Sequence, residues 1–393
     1  MATAPPTTGE LRAALEQAAE WCAAYLDRVG DLPVLSRVEP GEIAAALPEH
    51  PPAVGEPLTD ILADVDRVLI PGITHWNHPG FMAYFGISGS PPGILGETIA
   101  AALNVNAMLW RTSPAATELE QRVLRWVAEL TGLPAGWFGE ITDTASASTM
   151  YALAAAREAA GLDIRTRGMA GRTDLPPLRM YTSDQAHSSV EKACIALGLG
   201  QEGLRKIPSD AAFRMRADLL AEAVAEDVAA GMRPLAVVAS VGTTSTTSID
   251  PVPEIADVCE RHGMWLHVDA AYGGSAAVVP EMRHVLTGCE RADSIVINPH
   301  KWLFTPVDCS LLYTARPDDL KAAFSLVPAY LETPEDGGVV NLMDYGLSLG
   351  RRFRALKLWM VIRAYGAEGL AALISGHIDL ARRLADAIDA EPG

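Results

Sequence analysis

From about Gly93 onward, short runs of β-branched and apolar residues alternate with longer segments of helical periodicity. This alternation constrains the fold more than any other feature of the chain. The β-type runs are Leu178–Thr182, Leu235–Val241, Trp265–Val268, Ser294–Ile297 and Ser310–Tyr313, and helices are predicted over Ile94–Leu103, Ala115–Gly132 and Ser148–Gly161. Strands that take turns with helices imply an α/β fold: a mostly parallel sheet covered by helices on both faces. With 393 residues, 49% of them hydrophobic, the chain has enough apolar material for a large core and for two or three domains.

The segments on either side read differently. Leu11, Leu15, Ala18, Ala19, Cys22 and Leu26 give Gly9–Val29 a helical stripe. A connection punctuated by Pro33, Pro40, Pro48, Pro51, Pro52 and Pro57 follows, with a short helix near Glu42–Leu47, and then a helix over Leu58–Val68. His75–Phe85 is too rich in aromatic residues for a surface linker. Thr333–Val340, with Pro334, Gly337 and Gly338, reads as a mobile loop. After Arg351 only helices remain, Phe353–Tyr365 and Ala367–Ala387, which make an incomplete layer. The expected organisation is a helical segment over 1–90, a large α/β domain over 91–350, and a truncated small domain over 351–393.

A net charge of −18 disfavours nucleic acid, whose phosphates need a basic face, and equally an anionic lipid surface. Cys22, Cys194, Cys259, Cys289 and Cys309 are widely spaced, without the patterns of a disulfide framework or a zinc site, so no metal is expected. The N-terminus shows no basic-then-apolar leader, and no uncharged apolar run reaches about 18 residues. The expected location is the cytoplasm, without a membrane span.

In open α/β sheets ligands bind beyond the carboxyl ends of the strands. Four strand ends here carry polar groups: Ser183 to His187, Gly242-Thr243-Thr244, Asp269 to Tyr272, and Asn298-Pro299-His300-Lys301. Asp269 closes a run that reads as a central strand, so its carboxylate requires a cationic or strong-donor partner. An aspartate there can also cap a helix or pair with arginine. Lysine is scarce, five residues among 31 basic ones, so a lysine kept behind a buried strand suggests imine chemistry that arginine cannot perform. Thr142 to Ser148 opens a helix of small residues, where free backbone N–H groups hold phosphates and where simple N-capping is the commoner use. A phosphate cradle, an imine-forming lysine and a carboxylate for a protonated ring nitrogen together suit pyridoxal 5′-phosphate.

Asn298-Pro299-His300-Lys301-Trp302 resembles the lysine signature of the group II pyridoxal-phosphate decarboxylases, in particular the aromatic-L-amino-acid decarboxylases. Val38-Glu39-Pro40-Gly41, Thr74-His75-Trp76, Ser113-Pro114-Ala115, His267 to Tyr272 and Leu349 to Arg354 extend the likeness over most of the chain. The resemblance implies a fold-type I architecture with a seven-stranded sheet, and a homodimer with active sites at the interface and N-terminal helices packed on the partner.

The resemblance also implies roles. Lys301 would carry the cofactor, Asp269 would pair with the ring nitrogen, Ala271 would lie on one ring face and His187 would stack on the other. Thr144, Ala145, Ser146, Asn298 and His300 would surround the phosphate, and Thr244 would lie near the ring or the substrate carboxylate. Tyr330 matches a catalytic-loop tyrosine that returns a proton to the substrate carbon. Trp76, Tyr84, Phe85, Ile87, Met108 and Gly350 match substrate-pocket positions. Gly350 leaves room for an indole, Ile87 replaces a threonine, and Met108 replaces a phenylalanine supplied by the partner subunit.

The expected reaction is decarboxylation of an L-amino acid to its amine, with aromatic substrates leading. Decarboxylases of other amino acids and decarboxylating aldehyde synthases are the alternatives. The synthases tend to replace the loop tyrosine or the stacking histidine, and both are present as Tyr330 and His187. A degenerate, non-enzymatic homologue ranks below these because the reactive residues are intact.

Overall fold

The computed structural model describes residues 7–326 and 338–391, so Tyr330 and most of the Thr333–Val340 segment lie outside the described residues. The chain divides into two compact units, Met1–Gly86 and Ile87–Gly393.

In the first unit, helix α1 (Thr8–Arg28) opens on a capping box: the Thr7 hydroxyl accepts the Glu10 N–H at 3.2 Å, and the Glu10 carboxylate accepts the Thr7 N–H at 2.7 Å. No residue of α1 is buried. Helices α2 (Glu42–Ala46) and α3 (Leu58–Asp64) follow. The helix expected to run to Val68 instead widens into a π-turn over Val65–Leu69. Asp66 on that turn accepts from Trp21 at 2.9 Å and pairs with Arg28 at 2.7 Å, tying it to α1.

The second unit is built on seven strands: β1 (Phe138–Thr142), β2 (Leu178–Ser183), β3 (Leu204–Ile207), β4 (Arg233–Ser240), β5 (Trp265–Asp269), β6 (Ser294–Ile297) and β7 (Ser310–Thr314). Their order is β1-β7-β6-β5-β4-β2-β3, with β7 antiparallel to both neighbours and the other pairs parallel. This is the mostly parallel, seven-stranded sheet that the resemblance implied. The periodicity reading missed β1 and β3. Both are sheet edges, and their sequences, Phe-Gly-Glu-Ile-Thr and Leu-Arg-Lys-Ile, break the apolar run with ionisable residues: Arg205 and Lys206 stand outside the core, as edge strands use charge, whereas Glu140 is buried.

Helices α4 (Pro91–Leu103), α5 (Pro114–Thr131), α6 (Ala145–Ala159), α7 (Ile164–Arg167), α8 (Ser189–Ala196), α9 (Ala217–Ala229), α10 (Val252–His262), α11 (Pro299–Trp302), α12 (Pro317–Phe324) and α13 (Ala355–Ala390) complete the unit. Strand alternation splits the core into two layers. Tyr181, Val237, Leu266 and Leu311 pack with α5, α9, α10 and α13, whereas Met180, Val238, Trp265 and Leu312 pack with α6, α8 and α12.

The segment expected to begin a small domain is α13, broken at Gly366 (φ +67°) and packed on α4 and α5. Among the described helices it alone is long and apolar enough to cross a membrane. Its buried residues, including Leu358, Val361, Leu370 and Ile374, belong to the protein core, and Lys357 is buried among them. Contact with α4 is close: a Cβ on Gly96 would stand 2.5 Å from Lys357 Cα.

Candidate active site

The carboxyl ends of β4, β5 and β6 are stitched together by their backbones. Val241 donates to the Asp269 carbonyl at 2.8 Å and Gly273 donates back to Val241 at 3.2 Å. Asn298 donates to Ala271 at 3.0 Å, and Lys301 donates to Asn298 at 2.9 Å. Gly242 (φ +91°) and Gly273 pass so closely that a Cβ on Gly273 would stand 2.5 Å from the Val241 carbonyl oxygen, which explains glycine there. Three loops therefore hold Asp269, Ala271, Asn298, His300 and Lys301 on one rigid edge.

Asp269 Oδ1 accepts the Ala271 N–H at 3.1 Å, an Asx-type turn that fixes the carboxylate as the chain leaves β5. Its charge acts on Lys301, His187 and His267, favouring the protonated form of each. Burial lowers the proton affinity of Lys301, and Asp269 opposes this. The same holds for His187, which burial and then Lys301 and Lys192 depress while Asp269 supports it. As a whole residue His187 is exposed to solvent. Lys301, Asp269 and His187 thus share one electrostatic site although they come from three segments of the chain. His187 Nδ1 accepts the Ser189 N–H at 3.2 Å, which leaves the hydrogen of the neutral ring on Nε2.

His267, two residues before Asp269 on the same strand face, is fully buried, and desolvation takes its pKa down to about 4. It contacts Ser294 Oγ at 2.9 Å and Thr149 Oγ1 at 3.3 Å. The result is a neutral imidazole beneath the carboxylate. No role was expected for it, although the two-residue strand period places it beside Asp269.

His300 is also held neutral, with its pKa lowered to about 4 by burial first and Lys301 second. Its Nδ1 accepts the Cys309 N–H at 2.9 Å, so Nε2 carries the ring hydrogen. Asn298 Nδ2 stands 3.3 Å from that Nε2, while Asn298 Oδ1 is buried without a partner among the described residues. A half-turn of the amide places Oδ1 on the imidazole N–H and leaves the NH2 as a buried donor without a partner among the described residues. Such a donor suits an anionic ligand, and this is the orphaned group that a phosphate-bearing cofactor would satisfy.

Thr144 caps α6, its hydroxyl accepting the Ala147 N–H at 3.4 Å. The first turn leaves the N–H groups of Ala145 and Ser146 without intrahelical partners, at a helix end where anions are favoured. Thr144 and Ser146 are exposed there. Thr142 Oγ1 reaches Ser148 Oγ at 2.7 Å, and Ser148 Oγ reaches Ser310 Oγ at 3.0 Å, anchoring the turn to β7.

The other expected site residues distribute as follows. Thr244 is exposed in the loop after β4, whereas its neighbour Thr243 is buried and holds that loop through Ser248 N–H at 3.0 Å. Ile87 precedes Ser88, whose hydroxyl donates to the Lys301 carbonyl at 2.8 Å and accepts from Phe304 N–H at 3.1 Å. Ser88 lies 213 positions from Lys301, and nothing local in the sequence marks the pairing. Met108 and Gly350 gather around Asn106, which contacts Met108 Sδ at 3.4 Å and accepts from Arg351 N–H at 3.0 Å. In the first unit, Trp76 stacks on Tyr84 at 5.6 Å and meets Phe81 in a tilted contact at 4.6 Å, with Phe85 following Tyr84 in sequence. Among the described residues no cluster of three or more His, Cys, Asp or Glu is placed to hold a metal ion.

A lysine facing an aspartate at the carboxyl edge of a parallel sheet, with an open helix terminus for a phosphate, defines a pyridoxal-phosphate enzyme. The chain belongs to the pyridoxal-dependent decarboxylase family, whose conserved domain matches residues 40–392. It is 40% identical to aromatic-L-amino-acid decarboxylase of Mus musculus over 98% of this chain and 82% of that protein. It is likewise 40% identical to phenylacetaldehyde synthase of Arabidopsis thaliana over 95% of this chain and 77% of that protein. Among solved structures, Oryza sativa TDC with PLP and tryptamine superposes with a TM-score of 0.94 at 38% identity, covering 99% of this chain and 81% of that one.

Proposed function

We propose that this chain decarboxylates aromatic L-amino acids to their amines. The observation that carries this reading is the shared electrostatic site of Lys301, Asp269 and His187. Similarity to an aromatic-L-amino-acid decarboxylase and to a structure holding tryptamine supports the substrate class.

Bound pyridoxal phosphate supplies an electron sink for the pair of electrons left when an amino acid loses CO2. Lys301 would hold the cofactor through Nζ, and burial favours the neutral, nucleophilic amine that this requires. Asp269 would keep a proton on the ring nitrogen. Ala271 would support one face of the ring, and His187, presenting Nε2–H, would lie on the other. Thr144, Ala145, Ser146, Asn298 and His300 would hold the phosphate without adding positive charge, since His300 stays neutral. Thr244 is assigned to the substrate carboxylate or the ring. Tyr330, matched by motif alone, would return a proton to the substrate carbon.

Trp76, Tyr84, Phe85, Ile87, Met108 and Gly350 are assigned to the side-chain pocket. The working unit is proposed to be a homodimer with interfacial active sites, supported by a 21-residue α1 none of whose residues is fully buried and which exposes Leu11 and Leu15. All five cysteines are unpaired, which supports a reducing, cytoplasmic setting.

The test is a panel of aromatic L-amino acids assayed for CO2 and amine. Turnover of at least one to its amine is expected, and no product from any would overturn the reading. Aldehyde synthesis is the second reading, supported by the similarity to phenylacetaldehyde synthase. Aldehyde, ammonia and peroxide in place of amine would select it.

A further inference from the structure

Behind the Thr144 turn lies a carboxyl group that the mechanism does not use. Glu140 sits in the middle of β1 and is 2% exposed. Its Oε2 is 4.0 Å from Arg351 Nη2, while its Oε1 is buried with no hydrogen-bond partner among the described residues. Arg351 pairs more closely with Glu120, at 2.8 Å, so Glu140 shares its cation with a nearer carboxylate.

Glu140 lines a polar cavity of about 60 Å³ together with Thr142, Asp143, Tyr151, Ser348 and Arg354. That is room for water, which needs roughly 10–15 Å³ of such space. Thr142, on the same strand face, passes the position on to the turn: its hydroxyl donates to the Thr144 carbonyl at 3.2 Å and contacts Ser148 at 2.7 Å. Across the cavity, Gly346 rests so closely on Tyr151 that a Cβ there would stand 2.7 Å from the ring.

We propose that Glu140 is a positioning residue for the phosphate end of the cofactor, its Oε1 acting as a hydrogen-bond donor to water in this cavity, which links the 142–148 turn to the 346–351 segment. The inference rests on the assignment of Thr144 to Ser146 as the phosphate cradle. A donor is required because a buried carboxylate oxygen without a partner is costly as an anion and inexpensive as an acid. The surroundings agree: burial first, opposed by Arg351 and reinforced by Glu120, lifts the Glu140 pKa to about 8. The charged and titratable groups facing it are Arg351 and Arg354 after the 346–350 loop, Glu120 on α5, Tyr151 on α6, Tyr345 and Asp143; opposite it on β7 stands Leu312.

The test is the dissociation constant of pyridoxal phosphate from the full-length protein between pH 6.5 and 9.5, for wild type, Glu140→Gln and Glu140→Leu, with Tm alongside. Glutamine keeps a donor and cannot ionise. The wild-type to Glu140→Gln ratio is expected to stay near one at low pH and to rise about fivefold through pH 8, the scale of one hydrogen bond. Lys301 and His187 titrate in both proteins and cancel in that ratio. Glu140→Leu should bind about fivefold more weakly at every pH. A flat ratio, or leucine binding as tightly as glutamine, overturns the proposal. Should the variants fail to fold, infrared detection of a protonated carboxyl in the wild type that disappears near pH 8 supports it, and absence of that band at pH 7 overturns it. The cradle is tested separately: a Ser146→Asp protein, which sets a carboxylate against the free N–H groups of the helix start, should lose cofactor affinity, and full affinity in it would overturn that assignment whatever Glu140 does.

Discussion

Arg351 and Glu120 meet at 2.8 Å on the open side of β1, and each also takes one backbone group of Ile141. Glu120 Oε1 accepts the Ile141 N–H at 2.8 Å, and Arg351 Nη2 donates to the Ile141 carbonyl at 2.8 Å. Two side chains thus do what a neighbouring strand would do for an edge strand. Ile141 is three residues from Thr144, so the clasp also fixes where the proposed phosphate turn begins.

Breaking this pair by one partner strands the other as a buried charge. Glu120→Gln and Arg351→Met should each cost about 3–5 kcal/mol in urea unfolding. The double variant should lose much less than the two losses added together, because both charges leave at once. Strict additivity would mean that the two side chains act independently.

Glu140 carries a pH signature of its own. Its pKa of about 8 in the fold lies above the ordinary carboxylate value, so the folded state holds a proton that the unfolded chain has released. Stability from this group is complete below about pH 4.5 and is lost as the pH rises to about 8. Glu140→Gln should therefore gain Tm on wild type steadily over that window and level off above it. A Tm difference that does not change with pH would contradict this.

His267 works in the opposite direction. With a folded pKa near 4 against an ordinary value of 6.5, its stabilisation is present above pH 6.5 and is lost as the pH falls towards 4. His267→Asn, which retains a hydrogen-bonding group toward Ser294, should show a shallower stability loss across that range in a series of denaturant midpoints. Equal slopes in the two proteins would remove His267 from the acid response.

Lys301 should not tolerate arginine. The charge would survive, but a guanidinium does not form the covalent link to the cofactor. Lys301→Arg should lose the bound-cofactor absorbance and decarboxylate at least about a thousandfold more slowly, roughly 4 kcal/mol. A near-normal rate in this variant would displace Lys301 from its assigned role.

Gly96→Ala probes the packing of α4 on α13. The added methyl would stand 2.5 Å from the Lys357 backbone, where no flexible side chain can yield, so a loss of about 1–3 kcal/mol is expected. Lys357 is 1% exposed and paired with Glu97, which ties the same two helices electrostatically. An unchanged unfolding midpoint would show that the helices can separate at little cost.

The sequence alone determined the α/β alternation and the central strands β2, β4, β5, β6 and β7, and it marked the candidate site residues at their ends. These are local signals: Trp265 to Asp269 reads as a buried strand ending in a charge, and Asn298 to Lys301 stands directly behind the next one. The tertiary structure decided what no local window contains. It found β1 and β3, whose charges conceal them from an apolar pattern, and it brought Ser88 to the Lys301 carbonyl, Glu120 and Arg351 to Ile141, and an unpartnered oxygen of Glu140 to the cavity behind the Thr144 turn. Periodicity reports which face of an element is buried, because that depends on neighbours a few residues away. Which distant side chain satisfies a given buried polar group depends on how the elements close in space, and only the folded chain specifies that.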